Sequence, residues 1–172
     1  MGGPLAQFAG LVELWAGDAA AAEQELRWGY RTLSEIGEMA WLPTVVDILA
    51  EAAYVQGRYD EAEALTKASE KIAGPEDVYS QSFRRAVLAR VLARRGALDE
   101  AERLAREAVA IAAETDFLQL RARAYLALAE VLQVAGRPGE LEAAVGEAIR
   151  LFERKGHAIG AEQARRLLEQ QE

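Results

Sequence analysis

Ala50-x6-Gly57-Arg-Tyr-Asp-Glu-Ala62-Glu63 and Ala89-x6-Gly96-Ala-Leu-Asp-Glu-Ala101-Glu102 are one pattern written twice. Working outward, Gly17 precedes Gly57, and Gly136 follows Gly96, by nearly the same step that separates the two central glycines. A small residue stands seven positions ahead of each glycine (Gly10, Ala50, Ala89, Ala129), and Ala62, Ala101 and Leu141 stand five positions behind the last three. A fixed period of roughly 20–50 residues marks a stack of repeats, each burying its apolar face against the next. Small side chains let two antiparallel helices approach closely, and glycine supplies the positive φ that a short turn between them needs.

The apolar spacing around each glycine is helical. In the third unit Ala101, Leu104, Ala105, Ala108, Ile111 and Ala112 recur at i, i+3, i+4. The pattern predicts an all-α chain of four helix pairs, 4–16 with 19–36, 40–56 with 60–73, 77–95 with 99–114, and 117–135 with 139–154. A ninth helix over 158–170, apolar at Ile159, Ala161, Ala164, Leu167 and Leu168, is expected to cap the end of the stack. The repeats then run about 4–37, 40–74, 77–115 and 117–155, in a single domain over 1–172. Asp60 with Glu63 and Asp99 with Glu102 read as capping boxes, and Pro75 fits the start of a helix. Asp77 and Asp116 stand where they could cap or open their helices. The opening Met1-Gly-Gly-Pro4 looks more like a truncation point than a natural start, so the chain is expected to be part of a larger protein.

Composition narrows the function classes. There is no cysteine, which excludes thiol catalysis and zinc–thiolate sites, and His157 is the only histidine. A triad or histidine metal site would rest on that one residue, whose neighbourhood offers no converging partners; a polar loop residue before the last helix is the expected role. The net charge of −8 disfavours nucleic acid as a partner. The acidity is uneven: residues 1–75 hold 12 acids and 5 bases, residues 76–172 hold 16 and 15. No apolar run reaches the ~20 residues of a membrane span, and no signal peptide is present, so a cytoplasmic location is expected. Phosphate-binding loops, nucleophile elbows and zinc-protease motifs are missing, so no cofactor, metal or enzymatic activity is expected.

Order and spacing together resemble the tetratricopeptide repeat, over almost the whole chain. Leu88, Ala89, Leu92, Gly96, Ala101 and Ala108 match its positions in the third unit, and Leu128, Ala129, Leu132, Gly136, Leu141 and Ala148 in the fourth. The second unit supplies Leu49, Ala50, Gly57 and Ala62, with Ser69 at the later alanine site. The step from one turn glycine to the next is longer than that motif's period of about 34 residues. Stretches such as Gln56-Gly-Arg-Tyr-Asp-Glu-Ala-Glu63 and Leu151-Phe-Glu-Arg-Lys-Gly156 are similar to the C-terminal repeat regions of bacterial cyclase–ATPase and LuxR-type signalling proteins. The resemblance implies a tetratricopeptide-like superhelix of four antiparallel helix pairs with a C-terminal cap. It further implies a non-catalytic scaffold for protein–protein or intramolecular regulatory contacts, with a protein or peptide partner that includes other domains of the parent chain. A small-ligand sensor within the groove and self-association into a homodimer or end-to-end stack are the other readings.

The first helix of each pair should line the inner face of such a stack. By repeat position the candidate partner-binding residues are Thr44, Asp47, Glu51 and Tyr54; Phe83, Ala86 and Arg90; and Arg123, Leu126, Glu130 and Gln133. Peptide-clamping relatives hold a C-terminal carboxylate with Lys and Asn, where this chain has Asp47 and Glu51, Ala86 and Arg90, Leu126 and Glu130, so that clamp is not expected. The arginines crowding 84–106 are expected to pair with Glu100, Glu102 and Glu107 rather than to form an anion site. Of the early rings, Phe8, Trp15, Trp28, Tyr30, Trp41, Tyr54 and Tyr59, most are expected in the core, with a recognition patch as the alternative.

Overall fold

A computed structural model describes residues 5–169, and all nine elements among them are helices: α1 Ala6–Ala16, α2 Ala19–Ile36, α3 Leu42–Val55, α4 Tyr59–Ile72, α5 Val78–Arg94, α6 Leu98–Ala113, α7 Leu118–Val134, α8 Pro138–Lys155 and α9 Ala158–Glu169. The expected pairs are thus present to within two residues at every end that is described. The expected start of the first helix and first repeat at Pro4, and the expected end of the cap at 170, lie outside the described residues. The chain divides into two compact units, Met1–Ser80 and Gln81–Glu172. In the first, α1 packs on α2, and α3 packs on α1, α2 and α4. In the second, α7 packs on α6 and α8, and α9 closes on α8 and α7. Ser82 Oγ donates to the Ala108 carbonyl at 2.9 Å, tying α5 to α6.

The repeat-defining residues do what their size predicts. Ala50, Ala62, Ala89, Ala101, Ala108, Ala129 and Ala148 have no accessible surface. Gly10 holds the same position in the first repeat, where a Cβ would stand 2.6 Å from Leu26 Cγ. Gly10→Ala is therefore expected to destabilise by about 1–3 kcal/mol, although glycine to alanine in a helix normally gains up to ~1 kcal/mol. Urea unfolding of the two proteins side by side measures the sign.

The turns explain where the capping reading fails. Gly57 has φ +75°, a left-handed conformation that side-chain-bearing residues adopt only at a cost. Its N–H donates to the Tyr54 carbonyl, and Arg58 N–H donates to the Ala53 carbonyl, both at 2.9 Å. This Schellman arrangement ends α3. The carbonyl of the same Arg58 then accepts from Ala62 N–H at 3.0 Å, opening α4. One residue closes a helix and starts the next, so α4 begins one position before Asp60, and likewise α6 before Asp99. Asp60, Asp99 and their following glutamates lie in the first turn, where the helix dipole favours them, and not at the cap. The true cap position is the residue after each glycine. Asp18 fills it in the first repeat, its carboxylate accepting from Ala21 N–H at 2.9 Å. Asp77 caps α5 by accepting from Ser80 N–H at 3.0 Å. Asp116 does not cap α7, whose cap residue is Phe117. Pro75 sits in a turn closed by the Asp77 N–H to Gly74 carbonyl bond, ahead of α5 rather than at its start.

Arg58 also closes a square of charges. Arg27 bonds Glu23 at 2.7 Å and Glu61 at 2.5 Å, while Arg58 bonds Glu61 at 2.5 Å and also Glu23. The square ties α2 of the first repeat to the turn and first residues of α4. It recurs two repeats later: Arg106 bonds Glu102 at 2.8 Å and Glu140 at 2.6 Å, and Arg137 bonds both glutamates. Burial would raise the Glu23 carboxyl, but hydrogen bonds from Gln56, Arg27 and Arg58 outweigh it and lower it to about 2. The Arg106 hydrogen bond leads in lowering Glu102.

A carboxylate depressed in the folded state stabilises fully above its unfolded value near 4.5 and loses that contribution as pH falls toward 2. With Arg27 and Arg58 44% and 36% exposed, solvent screening holds the Glu23 contribution to about 1–2 kcal/mol. The stability gap between the wild type and Glu23→Gln should thus be steady near neutral pH and shrink below pH ~4.5, as followed by urea midpoints across pH.

Candidate functional site: the faces of the first helices

Thr44, Asp47, Glu51 and Tyr54 fall three to four residues apart and so share one face of α3. Asp47, Glu51 and Tyr54 are buried, at 0%, 7% and 8% exposure, while Thr44 is half-buried. The Tyr54 ring meets Tyr59 at the start of α4, with centroids 5.6 Å apart. Of the α3 candidates, chiefly Thr44 is therefore left open to a partner.

In the second unit Phe83 and Arg90 of α5 are buried, whereas Arg123, Leu126 and Glu130 of α7 are half-buried. An ion pair and a cation–π contact join the helices. The Arg90 guanidinium meets the Glu130 carboxylate at 3.3 Å, with its Nε donating to the Ala86 carbonyl. The Arg123 guanidinium lies over the Phe83 ring, 4.6 Å from its centroid. Gln133 donates to the Leu167 carbonyl in α9 at 3.4 Å. All of these residues lie on the first helices of their pairs, as their repeat positions imply. What repeat position does not convey is that half of them are spent on packing.

Within the arginine cluster, Arg85, Arg103 and Arg106 form ion pairs with glutamates. Arg103 bridges Glu100 at 2.6 Å and Glu107, and Arg85 reaches Glu107 at 3.4 Å. His157 is half-buried; its Nδ1 accepts from Gly160 N–H at 2.9 Å, and its ring lies against Phe152, so it caps α9. Among the described residues no group of three or more His, Cys, Asp or Glu is arranged to hold a metal. No described helix is long and apolar enough to cross a membrane. The early aromatics depart from expectation: Phe8, Trp28, Tyr30 and Trp41 are 43–59% exposed. Phe8 lies on α1, Trp28 and Tyr30 on α2, and Trp41 just ahead of α3.

The tetratricopeptide-repeat family model matches residues 47–66, 84–107 and 122–154, segments centred on the pairs α3–α4, α5–α6 and α7–α8. No curated protein sequence matches the chain. Among solved structures, a variant form of kinesin light chain-like, nearly identical TPR-like repeats from Podosopora anserina superimposes with a TM-score of 0.58 at 20% identity, over 99% of this chain and 94% of that one. A second structure of those repeats gives 0.56 at 21% identity, over 96% and 90%. BtubC (BKLC) of P. vanneervenii gives 0.58 at 19% identity, over 88% of this chain and 62% of that one. At such identities the likeness is one of fold. With the glycine turns and the buried alanines, it shows an all-α helical-repeat fold that carries tetratricopeptide repeats in the matched segments.

Proposed function

We propose that the chain is a non-catalytic scaffold that docks a protein or peptide, including other domains of its parent chain, within a bacterial signalling or transcription-regulating protein. Tetratricopeptide repeats generally bind proteins and generally serve as non-catalytic scaffolds. The observation that carries the reading is the half-open face of α7, where Arg123, Leu126 and Glu130 stand side by side. Phe83 and Arg90 brace the two charged groups from below. Side chains held in place before binding lose less freedom on binding, and arginine beside apolar surface is a frequent interface anchor. Thr44 of α3 holds a matching place on the first helix of its own pair. The mixture of cation, anion and aliphatic surface suits a peptide or helix.

Affinity capture with the separate parent domains and cell lysate, comparing the wild type with Thr44→Ala/Arg123→Glu/Leu126→Ser, tests this. The partner retained by the wild type should be lost, about ten-fold or more in affinity, from the triple variant. Equal retention by both would refute the placement of the site on this face.

A further inference from the structure

The α7 candidates continue in a line to Val134. Arg123, Leu126, Glu130 and Val134 stand three, four and four residues apart, so they share one side of the helix. α6, α8 and α9 pack on α7, and Phe83 and Arg90 reach it from α5. The line stays partly open: the three candidates are half-buried and Val134 is 38% exposed, whereas Val131, one turn back on a covered side, has no exposure. It lies wholly within the second unit.

Spacing and charge state what fits there. At about 1.5 Å per residue, the steps along the axis are about 4.5, 6 and 6 Å. A strand presents same-face side chains every ~6.8 Å, near the two longer steps but out of step at Arg123; a helix laid along α7 repeats all three. The line reads cation, aliphatic, anion, aliphatic. Its complement on a helix is an acid and a base seven residues apart, an apolar residue between them and another four beyond the base. Both charged groups are held ready, Arg123 over the Phe83 ring and Glu130 by Arg90. A guanidinium has several N–H donors and a carboxylate several lone-pair sites, so each accepts a partner beyond those it already has. The apolar contacts supply burial, and the charges fix the register: a slip of seven residues sets acid against Glu130. A second copy of the chain is a poorer occupant. Two antiparallel α7 helices would match Arg123 to Glu130 but would set Val134 against the amide of Gln119.

On the scaffold reading of this same face, we infer that α7 docks an amphipathic helix of a partner protein, whose acid meets Arg123 and whose base, seven residues away, meets Glu130, with apolar residues on Leu126 and Val134. The test is selection of a displayed library of helical peptides on the full chain, counter-selected on Arg123→Glu. Enriched peptides are expected to carry the acid and base seven residues apart with an apolar residue between. They should bind Arg123→Glu at least about ten-fold more weakly, and Val134→Ser about two- to five-fold more weakly. An enriched peptide with its acid changed to lysine should reverse the preference, binding Arg123→Glu more tightly than the wild type. A variant that had merely lost its fold could not produce that reversal.

Any of five results would overturn the inference. These are no enrichment, enriched peptides without that spacing, equal binding to Arg123→Glu, no reversal with the lysine peptide, or a wild-type dimer in sedimentation that Arg123→Glu abolishes. Enriched peptides without the pattern, beside a physiological partner that the Thr44, Arg123 and Leu126 triple variant loses, would remove this inference and leave the scaffold reading standing. A partner that the triple variant retains would remove both.

Discussion

Phe152→Ala should cost about 3–5 kcal/mol, the largest effect of any single truncation in the second unit. Phe152 is the largest side chain in the described chain with no exposure. It lies near the end of α8 and reaches into the junction with α9: its ring meets His157 with centroids 5.5 Å apart, and a Cβ on Gly160 would come within 2.7 Å of it. Removing the ring therefore leaves a void between α8 and the terminal helix and frees the His157 cap that starts α9. The loss should be seen twice, in a lower urea midpoint and in faster amide exchange confined first to residues 158–169. Gly160→Ala approaches the same contact from the other side. It should cost about 1–3 kcal/mol through overpacking, against a helix-propensity gain of up to ~1 kcal/mol. If Phe152→Ala leaves α9 as protected as in the wild type, the ring is not what holds the cap.

The second large effect concerns Arg90. Its side chain is 8% exposed and its ion-pair partner Glu130 19% exposed. Taking one charge from a buried pair strands the other, typically at a cost of about 3–5 kcal/mol; because Glu130 keeps some contact with water, Arg90→Leu is expected near the lower end, about 2–3 kcal/mol. Replacing both groups by apolar ones of similar size removes the stranded charge. Arg90→Leu/Glu130→Leu should recover at least half of the loss, giving a coupling energy that a double-mutant cycle in urea reads directly. Additive losses would show that the pair is not coupled. Because Glu130 also belongs to the half-open α7 face, the double variant separates stability from binding: it should fold, yet bind the partner more weakly.

How much of this was legible beforehand depends on whether a residue's role repeats and whether it acts locally. The glycine turns and the alanines at 50, 89, 101 and 129 were readable because each is set by its own helix pair and recurs at a fixed step. The caps were misread by two residues. Asp60 and Asp99 carry the usual N-cap chemistry, but the Schellman turn commits Arg58 and Ala97 to opening the helices first. The charge squares went unseen because they join residues far apart in the chain, on successive repeats. Their trace is nevertheless in the sequence: Glu23-x3-Arg27 with Arg58-x2-Glu61 returns two repeats later as Glu102-x3-Arg106 with Arg137-x2-Glu140. For the candidate face, repeat position assigns each residue to a first helix but says nothing of its exposure. Asp47, Glu51 and Arg90 are charged residues with the water-facing habit of their type, and only the packed structure shows them buried. The exposed rings at Phe8, Trp28 and Trp41 erred in the opposite sense. Their size favoured burial, and nothing in the local pattern tells that their side of the helices is bare.

The claim that the first helices form the docking face is tested most directly by hydrogen–deuterium exchange of the full chain with and without the captured partner. Slowed exchange in the peptides spanning residues 118–134 of α7, with the α4 and α6 peptides unchanged, is the predicted result. Protection confined to α4, α6 and α8, with α7 exchanging as in the free protein, would contradict it.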